Sequence, residues 1–179
     1  MTRDGREDFF ACKRMRFDMT PDGKVDFEFL KALGFELTLG AKQDFEVCKK
    51  MGFDLANTEN TKSNFYKCRE MGFEQTMGGK ENFYFCKGMG FEETVKGKAQ
   101  FERCKTMGFD LTPEGREVFV RCREMLFEQT PKGKADFDLC EEIGFKLKSH
   151  FDACRSMGFP MVTANGNSTK EGKAEFDKC

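Results

Sequence analysis

Charge of one sign is the first thing this sequence lacks. Thirty Lys and Arg stand against 31 Asp and Glu, a formal net charge of −1 over 179 residues. Charged residues are abundant (34%) but interspersed, the pattern of a solvated helical surface rather than of a basic nucleic-acid patch or an acidic tail. Long apolar runs are missing too. No stretch of about 18 apolar residues exists, so no membrane-spanning helix is expected. Residues Met1 to Phe10 contain no apolar signal-peptide core, which argues against secretion. His150 is the one histidine. A G-x-S-x-G turn, a phosphate-binding Gly-rich loop and a distinctive carboxylate pair are all absent, so no catalytic residue is assigned and no enzyme is expected. The nine Cys lack the C-x-x-C spacing of a metal site, and without a secretion signal they are expected to be reduced thiols in an intracellular, by default cytoplasmic, compartment.

What is present is a repeat. An anchor Phe recurs as Phe9, Phe27, Phe45, Phe65, Phe83, Phe101, Phe119, Phe137, Phe151 and Phe176, usually 18 residues apart. Three residues later stands Cys, with Leu30 as the single substitute, and every Cys of the chain occupies this slot. Six residues after the anchor comes Met, Leu or Ile; next is usually Gly, and then a second Phe. Seven residues before the anchor lies Thr: Thr2, Thr20, Thr38, Thr58, Thr76, Thr94, Thr112, Thr130 and Thr169. The step to Phe65 is two residues longer and the step to Phe176 seven longer, yet the Thr-to-anchor distance is unchanged in both. A constant distance beside a variable one marks a rigid element beside a loop. The spacing therefore predicts a helix from Thr to about Met.

The ends carry suitable chemistry. Thr is a good N-cap, and Pro21, Pro113 and Pro131 occupy the first helical position, where a missing N–H is harmless. Gly after Met suits a left-handed C-terminal turn, and the second Phe folds back on the last turn. Gly23, Gly97, Gly115 and Gly133 near the third helical position run against this, at about 1 kcal/mol each relative to Ala. Phe, Cys and Met at i, i+3 and i+6 span about 120° of a helix and define the core face, widened by Phe29, Val47, Phe85 and Leu139. Thr to Met spans roughly 20 Å, whereas the link Gly108 to Leu111 reaches about 14 Å fully extended. Successive helices are then antiparallel. The expected fold is all-α: about ten tandem 18-residue single-helix repeats stacked antiparallel as an α-solenoid, one domain over residues 1–179 with an irregular C-terminal part at 149–179. Between Phe137 and Phe151 four residues are missing, Ser149 is the expected replacement cap, and the ninth helix should be a turn shorter.

Two features invite a functional reading. A Lys or Arg always stands three residues before the anchor, as in Lys24, Lys42, Lys62, Lys80, Lys98, Arg116 and Lys134, and another usually stands four after it, as in Lys49, Arg69, Lys87, Lys105 and Arg123. These lie seven apart, on one side of each helix, and form a candidate binding stripe, including for RNA phosphates. The competing expectation is that they pair with carboxylates such as Asp44 and Asp136, one before the anchor, with a Lys of the next helix as partner. The cysteines are expected in the core, as Leu30 in the same slot indicates, and neither cofactor nor metal is assigned; a Cys-bound metal or pigment is the third reading. Met-Gly-Phe also locally resembles the ubiquitin-binding loop of ubiquitin-associated domains over three residues per repeat, but termination of a helix accounts for the tripeptide.

The expected function is a non-enzymatic scaffold for another protein or a larger assembly, with no small-molecule substrate and RNA binding as the alternative. The C-terminal stretch from Ser149 is the first docking candidate, and its loop Pro160 to Ser168 is long for this chain. Deleting Pro160 to Ser168 is expected to leave the melting temperature nearly unchanged in a thermal scan; a large drop would make the loop structural.

Overall fold

The computed structural model describes residues 3–162 and 169–178. The cap assigned to Thr2, the end residue Cys179 and positions 163–168 of the long loop lie outside them. Among the described residues ten helices follow one another: α1 (Arg3–Arg14), α2 (Pro21–Ala32), α3 (Leu39–Lys50), α4 (Thr61–Glu70), α5 (Met77–Gly88), α6 (Val95–Thr106), α7 (Pro113–Glu124), α8 (Pro131–Ile143), α9 (Lys148–Ser156) and α10 (Glu171–Phe176). No strand occurs among the described residues. The chain is an all-α tandem repeat with one helix per 18-residue copy. It divides into two compact units, Met1–Lys87 with Glu92–Lys98, and Gly88–Phe91 with Ala99–Cys179.

Helix starts follow the Thr signal in six copies. The Thr20, Thr38, Thr76, Thr94, Thr112 and Thr130 hydroxyls each accept the N–H three residues on, at 3.0–3.2 Å. Thr58 does not cap. Here Asp54 nucleates a turn, its carboxylate accepting the Ala56 N–H at 3.0 Å, and the two extra residues are absorbed before α4 starts at Thr61. Ser149 is likewise not a cap: Leu147 precedes α9 in extended conformation, its carbonyl accepting the Phe151 N–H at 3.2 Å, and Ser149 is already inside the helix. The helix itself is shorter, nine residues against 12 in α7.

The glycine in the first turn has a packing role. A Cβ on Gly115 would lie 2.0 Å from the Asp110 carbonyl oxygen, and one on Gly133 equally 2.0 Å from that of Glu128. The incoming loop crosses this close to the starts of α2, α5, α6, α7 and α8, where a residue without a side chain fits, while α3 carries Ala41 in the same slot. In α4 the slot holds Thr61, which is buried, and its hydroxyl donates to the carbonyl of Asp54 at 2.6 Å. A hydrogen bond there replaces the Cα–carbonyl contact.

Helix ends form the paired bonds of a Schellman turn. The Phe109 N–H reaches the Cys104 carbonyl at 3.2 Å and the Gly108 N–H reaches Lys105 at 3.0 Å. Gly108 is left-handed at φ 81°. Leu126 takes the same slot at φ 64° with its side chain 81% exposed, and Arg16 does so at φ 58°.

The second Phe of each copy meets the next anchor edge-on. In the first unit the pairs are Phe17–Phe27, Phe35–Phe45, Phe53–Phe65 and Phe73–Phe83, with ring centroids 5.7–6.1 Å apart. In the second they are Phe91–Phe101, Phe109–Phe119, Phe127–Phe137, Phe145–Phe151 and Phe159–Phe176, at 5.6–6.2 Å. Phe35 also reaches Phe65, and Phe91 reaches Phe119, one repeat further on. The anchors from Phe27 to Phe151 are no more than 2% exposed. Their Cys and most of their Met, Leu or Ile partners are buried with them, so the predicted core arc is the core. The widening position is half-buried at Phe29, Val47 and Leu139, but Phe85 turns outward, 48% exposed. Burial of each anchor supplies about 1.5–3 kcal/mol, and each ring pair about 0.5–1.5 more.

Gly115→Ala is expected to lower unfolding free energy by about 1–3 kcal/mol in urea titration, although helix propensity alone favours Ala. Leu126→Gly should change it the other way, by about 0.5–1 kcal/mol, by relieving a left-handed leucine.

Candidate functional site

The basic stripe is built from two positions with different partners. The base before the anchor grips the helix end two repeats earlier. In the first unit Lys42 donates to the Arg16 carbonyl at 2.7 Å, Lys80 to Gly52 at 2.6 Å and Lys98 to Gly72 at 2.7 Å; Lys62 donates to Gly34 in the same way. The Nζ of Lys42 also lies 4.6 Å from the Phe17 ring centroid, that of Lys62 5.6 Å from Phe35 and that of Lys98 5.2 Å from Phe73. In the second unit Arg116 stands 5.3 Å over Phe91, Lys134 5.1 Å over Phe109 and Lys148 5.4 Å over Phe127. The geometry follows from the left-handed turn, which leaves a carbonyl at the negative end of the helix dipole with an aromatic face beside it. At Lys42, Lys62 and Lys98 one cation satisfies both, whereas Lys134 and Lys148 pair with Asp138 and Asp152 on their own helices.

The base after the anchor pairs one repeat back, with the residue just before the preceding anchor. Lys31 meets Asp8 at 2.6 Å, Lys49 meets Asp26 at 2.7 Å, Arg69 meets Asp44 at 2.7 Å and Arg155 meets Asp136 at 2.9 Å. Lys87 donates to Asn64 at 3.0 Å and pairs with Glu93 at 3.4 Å. Asp44 additionally accepts from the Tyr66 hydroxyl at 3.0 Å. Burial, then that carboxylate, pushes the Tyr66 phenol up to about 12. The carboxylates at the edge of the core arc thus find basic partners on the following repeat. Lys105 is engaged as well, and Arg123 is half-buried at the end of α7. Lys24, exposed, makes no ion pair or ring contact among the described residues.

One exception was readable in advance. The eighth copy carries Glu141 where the others carry a base, and the seventh carries Val118 where most carry a carboxylate or amide. Glu141 pairs instead with Arg121, at 3.3 Å. The compensated swap, 23 residues apart in Glu141 and Val118, is a signal of contact that the periodicity alone does not reveal.

The thiols are core residues. The eight described cysteines are free and buried, Cys48, Cys86, Cys104, Cys140 and Cys154 at 0% exposure. Burial pushes the Cys48 thiol up to about 12 and those of Cys68, Cys104, Cys122 and Cys140 up to about 11. Metal ligation and nucleophilic attack both need the thiolate, and these sites disfavour it. Among the described residues no three or more His, Cys, Asp or Glu cluster as a metal site would.

The surface also has apolar residues that periodicity overlooks. Leu39, Met77 and Val95, the first residues of α3, α5 and α6, are 47%, 58% and 65% exposed. They occupy the slot that holds Pro in α2, α7 and α8. No described helix is long and apolar enough to cross a membrane. In comparisons with known proteins, no family model, curated protein or solved structure matches this chain.

The raised thiols link stability to alkaline pH. An unfolded thiol titrates near 9.0, whereas the folded Cys48 titrates near 12, so between these values the unfolded chain loses protons that the native chain keeps. Stability should be at its full value below pH 9 and fall as pH rises from 9 towards 12, by about 1.4 kcal/mol per unit per titrating thiol. Urea titrations across that range measure it, and a Cys48→Val, Cys104→Val variant should show a shallower fall.

Proposed function

We propose that this chain is a non-enzymatic helical-repeat scaffold for protein–protein interaction or assembly, working in a reducing compartment such as the cytoplasm. The observation that carries this reading is the division of labour among its side chains. Basic residues that would serve a polyanion are turned onto helix-end carbonyls, aromatic rings and carboxylates of the same chain. Apolar residues at Leu39, Met77, Phe85, Val95, Leu126 and Leu147 are instead left to solvent. A protein surface matches that composition better than a phosphate backbone does, since phosphate contacts need cations free to displace counterions.

RNA binding remains the competing reading, and it makes a distinct demand. Phosphate binding would have to draw Lys49, Arg69 or Lys80 away from the partners described above. Affinity capture of the tagged chain from its native lysate, with and without nuclease, separates the two. Defined proteins retained after nuclease treatment are the expected result. Loss of all captured material on nuclease treatment would assign function to the basic stripe.

A further inference from the structure

We infer that the groove between the end of α7 and the start of α9 is a docking site for the first turn of a helix from a separate protein, one that opens with a large apolar residue and carries Lys or Arg three residues on. This rests on the scaffold reading and names the chemistry of one partner. The groove has a volume of about 460 Å³ and is lined by Glu124, Leu126, Leu147, Lys148 and Asp152, among others. That is within the range of roughly 300–1,000 Å³ typical of ligand pockets.

The first unit shows what lies over such a helix end. At Gly52, which closes α3, the cover is the first turn of α5. Met77, its first residue, comes so near that a Cβ on Gly52 would touch the Met77 Cε at 3.7 Å. Lys80, three residues on, donates to the Gly52 carbonyl at 2.6 Å. One turn thus brings an apolar side chain and a cation together to the negative end of a helix.

The end of α7 has no such cover from its own repeat array. Four residues are missing between Phe137 and Phe151, and they are those of the covering turn. Six residues before the anchor, where Met77 stands relative to Phe83, the ninth copy has Phe145, which is buried against Phe151. Helix α9 begins only at Lys148, and Lys148, the counterpart of Lys80, is turned onto Asp152 of its own helix. Among the described residues no side chain donates to the Leu126 carbonyl.

What the missing turn leaves open is suited to a replacement. Leu126 fills the slot that is Gly in most copies, left-handed at φ 64° and 81% exposed, and Leu147 across the groove is 53% exposed. A leucine in that conformation is strained, and the fold makes no use of its side chain. The charge points to the same occupant. Two carboxylates face one lysine, and Asp152 already holds that lysine. Glu124 is the surplus: it has no ion pair among the described residues, and Arg121 of the same turn is committed to Glu141. A helix N-terminus is positive, and a Lys or Arg in its first turn adds to that, so shape and charge agree.

The test uses the full chain and a helix-stapled peptide of Gln75 to Tyr84, which carries Met77 and Lys80 in its first turn. Stapling matters because a free peptide of this length is marginally helical. Saturable binding is expected in calorimetry, with amide shift changes confined to the end of α7 and the start of α9. The Met77→Ala and Lys80→Glu peptides should each bind at least fivefold more weakly. In the protein, Leu126→Asn should weaken binding at least fivefold and Glu124→Lys at least threefold. Both positions are exposed, Asn tolerates the left-handed conformation and Lys suits a helix C-terminus, so circular dichroism should stay unchanged and melting should not fall. Shift changes elsewhere, or undiminished binding by either protein variant or either peptide variant, would overturn the site. Self-association of the chain that the peptide abolishes would overturn a separate protein as occupant and assign the groove to a second copy. Absence of peptide binding with proteins still captured after nuclease removes this site and leaves the scaffold reading standing.

Discussion

Everything in this fold depends on how a helix of 12 residues ends. A helix that short is marginal in water, and its stability must come from its neighbours. The Gly-Phe turn supplies the link. Gly108, left-handed, closes the last carbonyls, and that closure swings Phe109 out of the helix and edge-on against Phe119. Without the turn there is no inserted ring, and without the ring the next anchor has no inner wall. Ring pairing and burial together supply a few kcal/mol per repeat, against at most about 1 kcal/mol for a surface ion pair. The aromatic series thus sets the stability, and the ion pairs set which side chains face which.

The charged side chains extend that arrangement rather than create it. Lys42 and Lys98 reach the carbonyl and the ring left exposed by the turn two repeats earlier. Lys49 and Arg69 hold Asp26 and Asp44, which sit at the edge of the core where a bare carboxylate would be costly. Both roles need a cation, which explains a basic residue at fixed spacing in a chain with no net basic charge.

Much of this was legible in the sequence because each repeat restates it. Period, core face, capping Thr, left-handed Gly and the burial of the cysteines all follow from residue types whose preferences are local. The failures share a cause. Thr58 and Ser149 have capping chemistry, yet the start of α4 is set by the turn at Asp54, and that of α9 by Leu147. Gly115 reads as a propensity defect until the Asp110 carbonyl is seen 2.0 Å from where its Cβ would be. The grip of Lys80 on Gly52 joins residues 28 apart, two repeats in sequence, and a one-helix pattern carries no record of it.

The reach of those grips bears on how the chain melts. Repeat arrays are usually treated as chains in which each element senses only its immediate neighbours. Here, within each unit, a helix end is held by side chains from the following repeat and from the one beyond it. The smallest self-consistent piece is then a triplet, and loss of one helix removes a clasp from two others. Fraying should advance in steps of several helices, with a broad cooperative front, instead of peeling one turn at a time from an end.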